Sequence, residues 1–137
     1  EKLKHSRRNI FLGGSAGTGK STLINTFLDG LSKKERKKVL VVAPTGKSSD
    51  IINGQTIHSA FELYNGVMLP DDEITIVPKA LKNIETIIID EISMVRADMV
   101  DFIDRVLRVF SGNMRTPFGG KQLLLVGLIC KIQSLVE

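Results

Sequence analysis

Gly14-Ser15-Ala16-Gly17-Thr18-Gly19-Lys20-Ser21, followed by Thr22, is a glycine, four residues, a second glycine, a lysine and a serine. An apolar run, Ile10-Phe11-Leu12, leads into it, and a helical pattern over residues 21–31 leads out. Strand, glycine-rich loop and helix in that order are the context in which this spacing makes a phosphate-binding loop. Glycines 14, 17 and 19 let the backbone approach an anion closely, with successive N–H groups turned inward. The helix that follows adds the positive end of its dipole. Lys20 is placed to reach the terminal phosphates as a point charge, and the Ser21 hydroxyl to hold Mg²⁺. The nucleotide-binding candidates are therefore Gly14, Ser15, Ala16, Gly17, Thr18, Gly19, Lys20, Ser21 and Thr22.

A second stretch completes the chemistry. Thr86-Ile87-Ile88-Ile89-Asp90-Glu91 is a β-branched apolar run that ends in two acids. Parallel sheets place ligand sites at the carboxyl ends of their strands. Asp90 and Glu91 are thus expected beside the phosphate loop, at a neighbouring strand end. Asp90 is the candidate Mg²⁺ ligand, acting mainly through water. Glu91 is the candidate group that orients the attacking water. With Lys20, these two acids form the proposed catalytic set.

Between and after these motifs, strands alternate with helices. Strands are expected over 9–13, 39–43, 86–89 and 122–127, with an edge strand over 73–77. Short helices are expected over 47–52 and near 79–83, and an amphipathic helix over 97–111 with Met99, Ile103, Val106, Leu107 and Phe110 buried. In that helix Asp101/Arg105 and Asp104/Arg108 are acid-first pairs four apart. The basic run Lys33-Lys34-Glu35-Arg36-Lys37-Lys38 reads as a solvated helix end and loop. The alternation predicts an α/β fold: a RecA-like P-loop domain, its sheet mainly parallel with right-handed crossovers.

Bulk properties fit this reading. The 137 residues suit one domain with a core of its own. Net charge is +4, which permits a polyanionic partner, and Trp is absent, so stacking aromatics are few. The single cysteine, Cys130, excludes an internal disulfide and fits a reducing compartment: cytoplasm in a bacterium, nucleus or mitochondrion in a eukaryote. No apolar run approaches 18 residues, the length of a membrane-spanning helix.

Four stretches together resemble one family. NIFLGGSAGTGKSTL over 9–23, VAPTGKSSDIINGQTIHSAF over 42–61, IIIDEISMV over 87–95 and PFGGKQLLLVG over 117–127 are similar to the Pif family of DNA helicases, in the RecD-like branch of superfamily 1. The resemblance implies an ATP-driven motor that moves 5′ to 3′ on single-stranded DNA and works in repair, recombination and telomere maintenance. It implies that Pro44, Thr45 and Gly46, and then Thr56, His58 and Ser59, touch the DNA. Short polar side chains and loop N–H groups suit such sequence-independent phosphate contacts.

The chain departs from the family pattern in three ways. The arm ahead of the first strand is too short for the adenine-reading helix. Gly127 is followed by Leu128 and Lys131, where the family has an acid and a phosphate-sensing glutamine. The resemblance places the family's second RecA-like domain, with its arginine finger, outside the expected span of these residues. The expectation is a partial RecA-like domain with a divergent tail over 128–137, a truncated motor that hydrolyses ATP weakly or not at all. The alternative is a degenerate nucleotide-binding module without motor activity.

Overall fold

The computed structural model describes residues 9–14, 19–62 and 78–127. The expected edge strand over 73–77, the basic arm over 1–8 and the tail over 128–137 lie outside them, as do Ser15, Ala16, Gly17 and Thr18. The described chain runs β1 (Ile10–Gly13), α1 (Lys20–Asp29), α2 (Lys33–Arg36), β2 (Val39–Ala43), α3 (Gly46–Ile51), β3 (Gln55–Thr56), α4 (Ile57–Ala60), β4 (Thr86–Ile89), α5 (Ala97–Ser111) and β5 (Gln122–Gly127). Three short 3₁₀ turns, Lys79–Leu81, Ile92–Met94 and Pro117–Gly120, join the later elements.

The strands form one sheet in the order β1-β5-β4-β2-β3, and every pairing is parallel. A strand covered on both faces reads as a near-continuous apolar run, and β2, β4 and β5 fit this, with Thr86 and Gln122 as the polar exceptions at the strand starts. All five residues of β2 are buried, and Ile87, Ile88 and Ile89 of β4 have no exposed surface. Each such side chain contributes about 1.5–3 kcal/mol relative to exposure. Alternate residues serve opposite layers. Leu40, Val42, Ile87, Ile89 and Leu123 pack with Phe102, Ile103, Val106 and Leu107 of α5. Val39, Val41, Ala43, Ile88, Leu124 and Val126 pack with Ile24 and Leu28 of α1.

Helix α5 occupies the expected span, and Gly112 closes it in the left-handed region at φ 69°. Both expected acid–base pairs form: Asp101–Arg105 at 3.2 Å and Asp104–Arg108 at 2.8 Å. The buried stripe is wider than expected. Phe102 is fully inside, while Met99 and Phe110 are only half-buried. The basic run is a correction. It is not the end of α1, which stops at Asp29, but a separate turn, α2. Ser32 starts α2 through a capping box: its hydroxyl accepts from Glu35 N–H at 3.1 Å, and Glu35 Oε1 accepts from Ser32 N–H at 3.2 Å.

Asp104 has a role that spacing does not reveal. Besides Arg108, it accepts the Phe118 N–H at 2.6 Å, and Arg108 in turn donates to the Met114 carbonyl at 2.9 Å. These bonds dock the Pro117–Gly120 turn on α5 just before β5 begins. Phe118, Gly119 and Gly120 all have positive φ there. A Cβ on Gly119 would overlap Ser111 Oγ and the Leu107 carbonyl. Gly119→Ala is therefore expected to lower unfolding stability by about 1–3 kcal/mol in urea titrations, the usual range for overpacking. A loss below about 0.5 kcal/mol, the scatter of neutral surface changes, would show that this docking is not tight.

Candidate active site at the carboxyl edge of the sheet

Register fixes where the site is built. One row of paired residues crosses the whole sheet: Phe11, Leu125, Ile89, Val42 and Gln55. Within a few residues beyond that row, each segment singled out in the sequence leaves the sheet: Gly14 after β1, Asp90 after β4, Pro44 after β2 and His58 after β3. Four sequence-distant segments thus share one edge because the strands are parallel and in register.

The two chemical groups are closer in space than in sequence, but their strands are not neighbours. Strand β5 lies between β1 and β4. At about 4.8 Å per strand, this leaves roughly 10 Å between the two strand ends. By the alternation of β4, Asp90 falls on the face of Ile88, which α1 covers. Lys20, at the start of α1, acts electrostatically on the Asp90 carboxyl.

The starts of α1 and α5 lack the side-chain caps of α2, α3 and α4, and of these two only α5 has an acid, Asp98, in its first turn. Ser32, Thr45 and Thr56 each cap their helix with a side-chain oxygen. Gly19 caps α1 with none, in the left-handed region at φ 79°, and no acid lies in the first turn. First-turn N–H groups without a side-chain acceptor, at the positive end of a helix dipole, make an anion-binding site. Lys20 Nζ donates to the Gly14 carbonyl at 3.0 Å, so the ammonium reaches back to the end of β1. Ser21 follows in the first turn, half-buried, and Thr22 is exposed.

Asp90 is buried. Burial pushes its carboxyl above the ordinary value of 3.8; the Glu91 N–H opposes this, the Glu91 charge adds to it, and Lys20 opposes it. The Glu91 N–H donates to Asp90 Oδ1 at 2.9 Å. Glu91 itself is held at φ 50°, ψ 44°, a conformation that costs a non-glycine residue about 1–2 kcal/mol. It is half-buried and opens the Ile92–Met94 turn.

At the other end of the edge, Pro44 is half-buried, while Thr45, Gly46, His58 and Ser59 are exposed. Thr45 and Ser48 form a capping box, with their hydroxyls 2.7 Å apart. Thr56 Oγ1 accepts from the Ser59 N–H at 3.1 Å. The oxygens of both threonines therefore shape their own turns first. Asn25 is a residue that sequence reading missed. From α1 its Nδ2 donates to the Ile51 carbonyl at 3.1 Å, tying the helix of the phosphate loop to α3, the helix that follows Pro44-Thr45-Gly46. No spacing rule marks a bond between residues so far apart.

The raised Asp90 value sets the sign of a pH effect. Its folded-state value lies above the unfolded one, so the stability tied to the neutral carboxyl is lost as pH rises through the folded value. In metal-free, nucleotide-free buffer, Asp90→Asn is expected to melt higher than wild type at pH 7. The gap should close as pH falls below about 3.8. A variant that melts lower than wild type at pH 7 would mean that the carboxylate stabilises the fold.

Comparison with known proteins agrees with the fold. The family model "PIF1-like helicase" matches residues 2–137. The chain is 36% identical over 133 residues to ATP-dependent DNA helicase PIF1 of Emericella nidulans, covering 88% of this chain and 17% of that protein. It is 38% identical to the PIF1 helicase of Saccharomyces cerevisiae, covering 92% of this chain and 15% of that one. The structure of Pif1 helicase from Bacteroides in complex with ADP-AlF3 and ssDNA superposes with a TM-score of 0.77 at 35% identity, over 93% of this chain and 30% of that one. Pif1 helicase from Candida albicans gives 0.70 at 32% identity, over 92% and 30%. The chain thus spans under a third of the length of these relatives, and it belongs to the PIF1-like helicase family.

Proposed function

We propose that this chain is the ATP-binding motor domain of a DNA helicase, one partial RecA-like domain over 1–137 whose ATP hydrolysis drives 5′ to 3′ movement on single-stranded DNA. The observation that carries this is the shared edge: an anion-binding helix start with its lysine, an acid pair and two polar turns leave one row of one parallel sheet. The relatives' names and the ADP-AlF3 and ssDNA complex support the same reading.

In this reading the N–H groups of Gly14 to Thr22 receive the phosphates, and Lys20 leaves the Gly14 carbonyl for the terminal ones. Ser21 and Asp90 are the groups that would hold Mg²⁺. Among the described residues no cluster of three or more His, Cys, Asp or Glu could hold a metal alone. That donor set fits Mg²⁺, which binds through one or two protein oxygens, substrate phosphates and water. The metal would supply neutralisation of the phosphate charge. Glu91 orients and polarises the attacking water, its backbone fixed by the bond to Asp90. Pro44, Thr45, Gly46, Thr56, His58 and Ser59 offer N–H and short polar groups to the DNA backbone.

Two variants test this. Lys20→Ala should weaken Mg-ATP binding about 10- to 100-fold in calorimetric titrations, as expected for losing a hydrogen bond to a charged group. Its melting temperature should stay near that of wild type. Glu91→Gln should keep the binding constant but lower single-turnover hydrolysis by about 10²-fold or more. Unchanged ATP affinity in Lys20→Ala would contradict the assignment.

A further inference from the structure

The amino edge of the sheet, opposite the nucleotide, carries charge that the motor reading does not use. Lys38 directly precedes β2 and Lys121 directly precedes β5, while Lys82 lies four residues before β4. The edge is continuous. Lys38 O accepts from Glu85 N–H at 2.8 Å and Thr86 N–H at 3.1 Å, and Glu85 O accepts from Gln122 N–H at 3.0 Å. Helix α2 flanks it. There Lys33, Arg36 and Lys37 line a groove of about 450 Å³ with Asn25, Ser32 and Asn53.

Of the acids in this region, Asp29 also lines the groove and is exposed, while two others are engaged. Glu35 is turned back into the capping box of α2, and Glu85 pairs with Lys38 at 3.7 Å. Arg36 Nη1 donates to the Val39 carbonyl at 2.7 Å, so it braces α2 against the strand. Lys33, Lys34, Lys37 and Lys82 are exposed, and among the described residues none of them pairs with an acid within 4.0 Å. No aromatic residue lines the groove. A surface of lysine point charges without stacking groups suits phosphates held in a rigid array, and suits unstacked bases poorly.

We propose that this edge, centred on Lys33, Lys34 and Lys37, is a second docking surface for the phosphate backbone of duplex DNA. It is separated from the nucleotide by the length of a strand, about 15 Å. Binding here is sequence-independent and salt-sensitive. It would hold the chain on a duplex while the opposite edge works on a single strand. The choice of DNA among polyanions rests on the motor reading; the surface itself uses no residue of the nucleotide edge.

The test is fluorescence anisotropy of a blunt 20-base-pair duplex, without nucleotide, as salt is raised. Wild type should bind with a steep salt dependence. The triple variant Lys33→Gln, Lys34→Gln, Lys37→Gln leaves the Ser32–Glu35 box intact. It should lose about 10-fold or more in affinity at low salt, and its log–log salt slope should be shallower by about 2–3, as expected for three lost phosphate contacts. The triple variant should bind Mg-ATP as wild type does, so a failed nucleotide assignment and a failed duplex surface give different results. Equal affinity and slope in wild type and the triple variant would overturn the proposal. So would tighter wild-type binding to poly-glutamate of equal charge than to the duplex.

Discussion

Parallel pairing in a common register is the constraint on which the rest depends. Four strands start and stop within a few residues of one another across the sheet, so their carboxyl ends form one edge. The hydrophobic effect enforces this register. Sliding β4 by one residue would turn Ile88 to the layer of α5, and Ile87 and Ile89 to that of α1. It would also move Asp90 to the face away from Lys20. The core therefore holds the acid in place.

On that frame the polar groups are arranged against their own stability. Asp90 is buried where ionisation is disfavoured, and Glu91 sits in a backbone conformation that favours glycine. The start of α1 lacks the side-chain cap that three other helices have. An incoming anion and cation offset two of these costs at once: the anion satisfies the helix start, and the cation stabilises the charged carboxylate. Uncompensated costs that cluster at one edge are the physical mark of a site built for something that binds there.

Much of this was legible in the sequence because local patterns carry it. The continuous apolar runs 39–43 and 86–89 could only be strands covered on both faces, and the glycine–lysine loop needed only its flanking strand and helix. The span of α5 followed from its 3.6-residue period and Gly112. The interposition of β5 between β1 and β4 was not legible, since strand order is a tertiary choice among runs that look alike. The two-residue strand β3 is too short for any periodicity. Helix α2 was hidden because its charge suggested a loop, while its real signal was the Ser32–Glu35 spacing. Asp104 was read as half of an ion pair; its bond to Phe118 N–H depends on a turn that folds back over the helix. The bond from Asn25 to Ile51 likewise joins residues that only the folded layers bring together.

In the proposed site, Lys20 and Asp90, on segments that leave strands two widths apart, meet the two ends of one ligand. A crystal structure with Mg²⁺ and a non-hydrolysable ATP analogue tests it most directly. The terminal phosphates should lie on the α1 start in contact with Lys20 Nζ, with the metal between them and the Ser21–Asp90 side. Phosphates bound elsewhere on the molecule, or a metal with Asp90 outside its first and second coordination spheres, would contradict it.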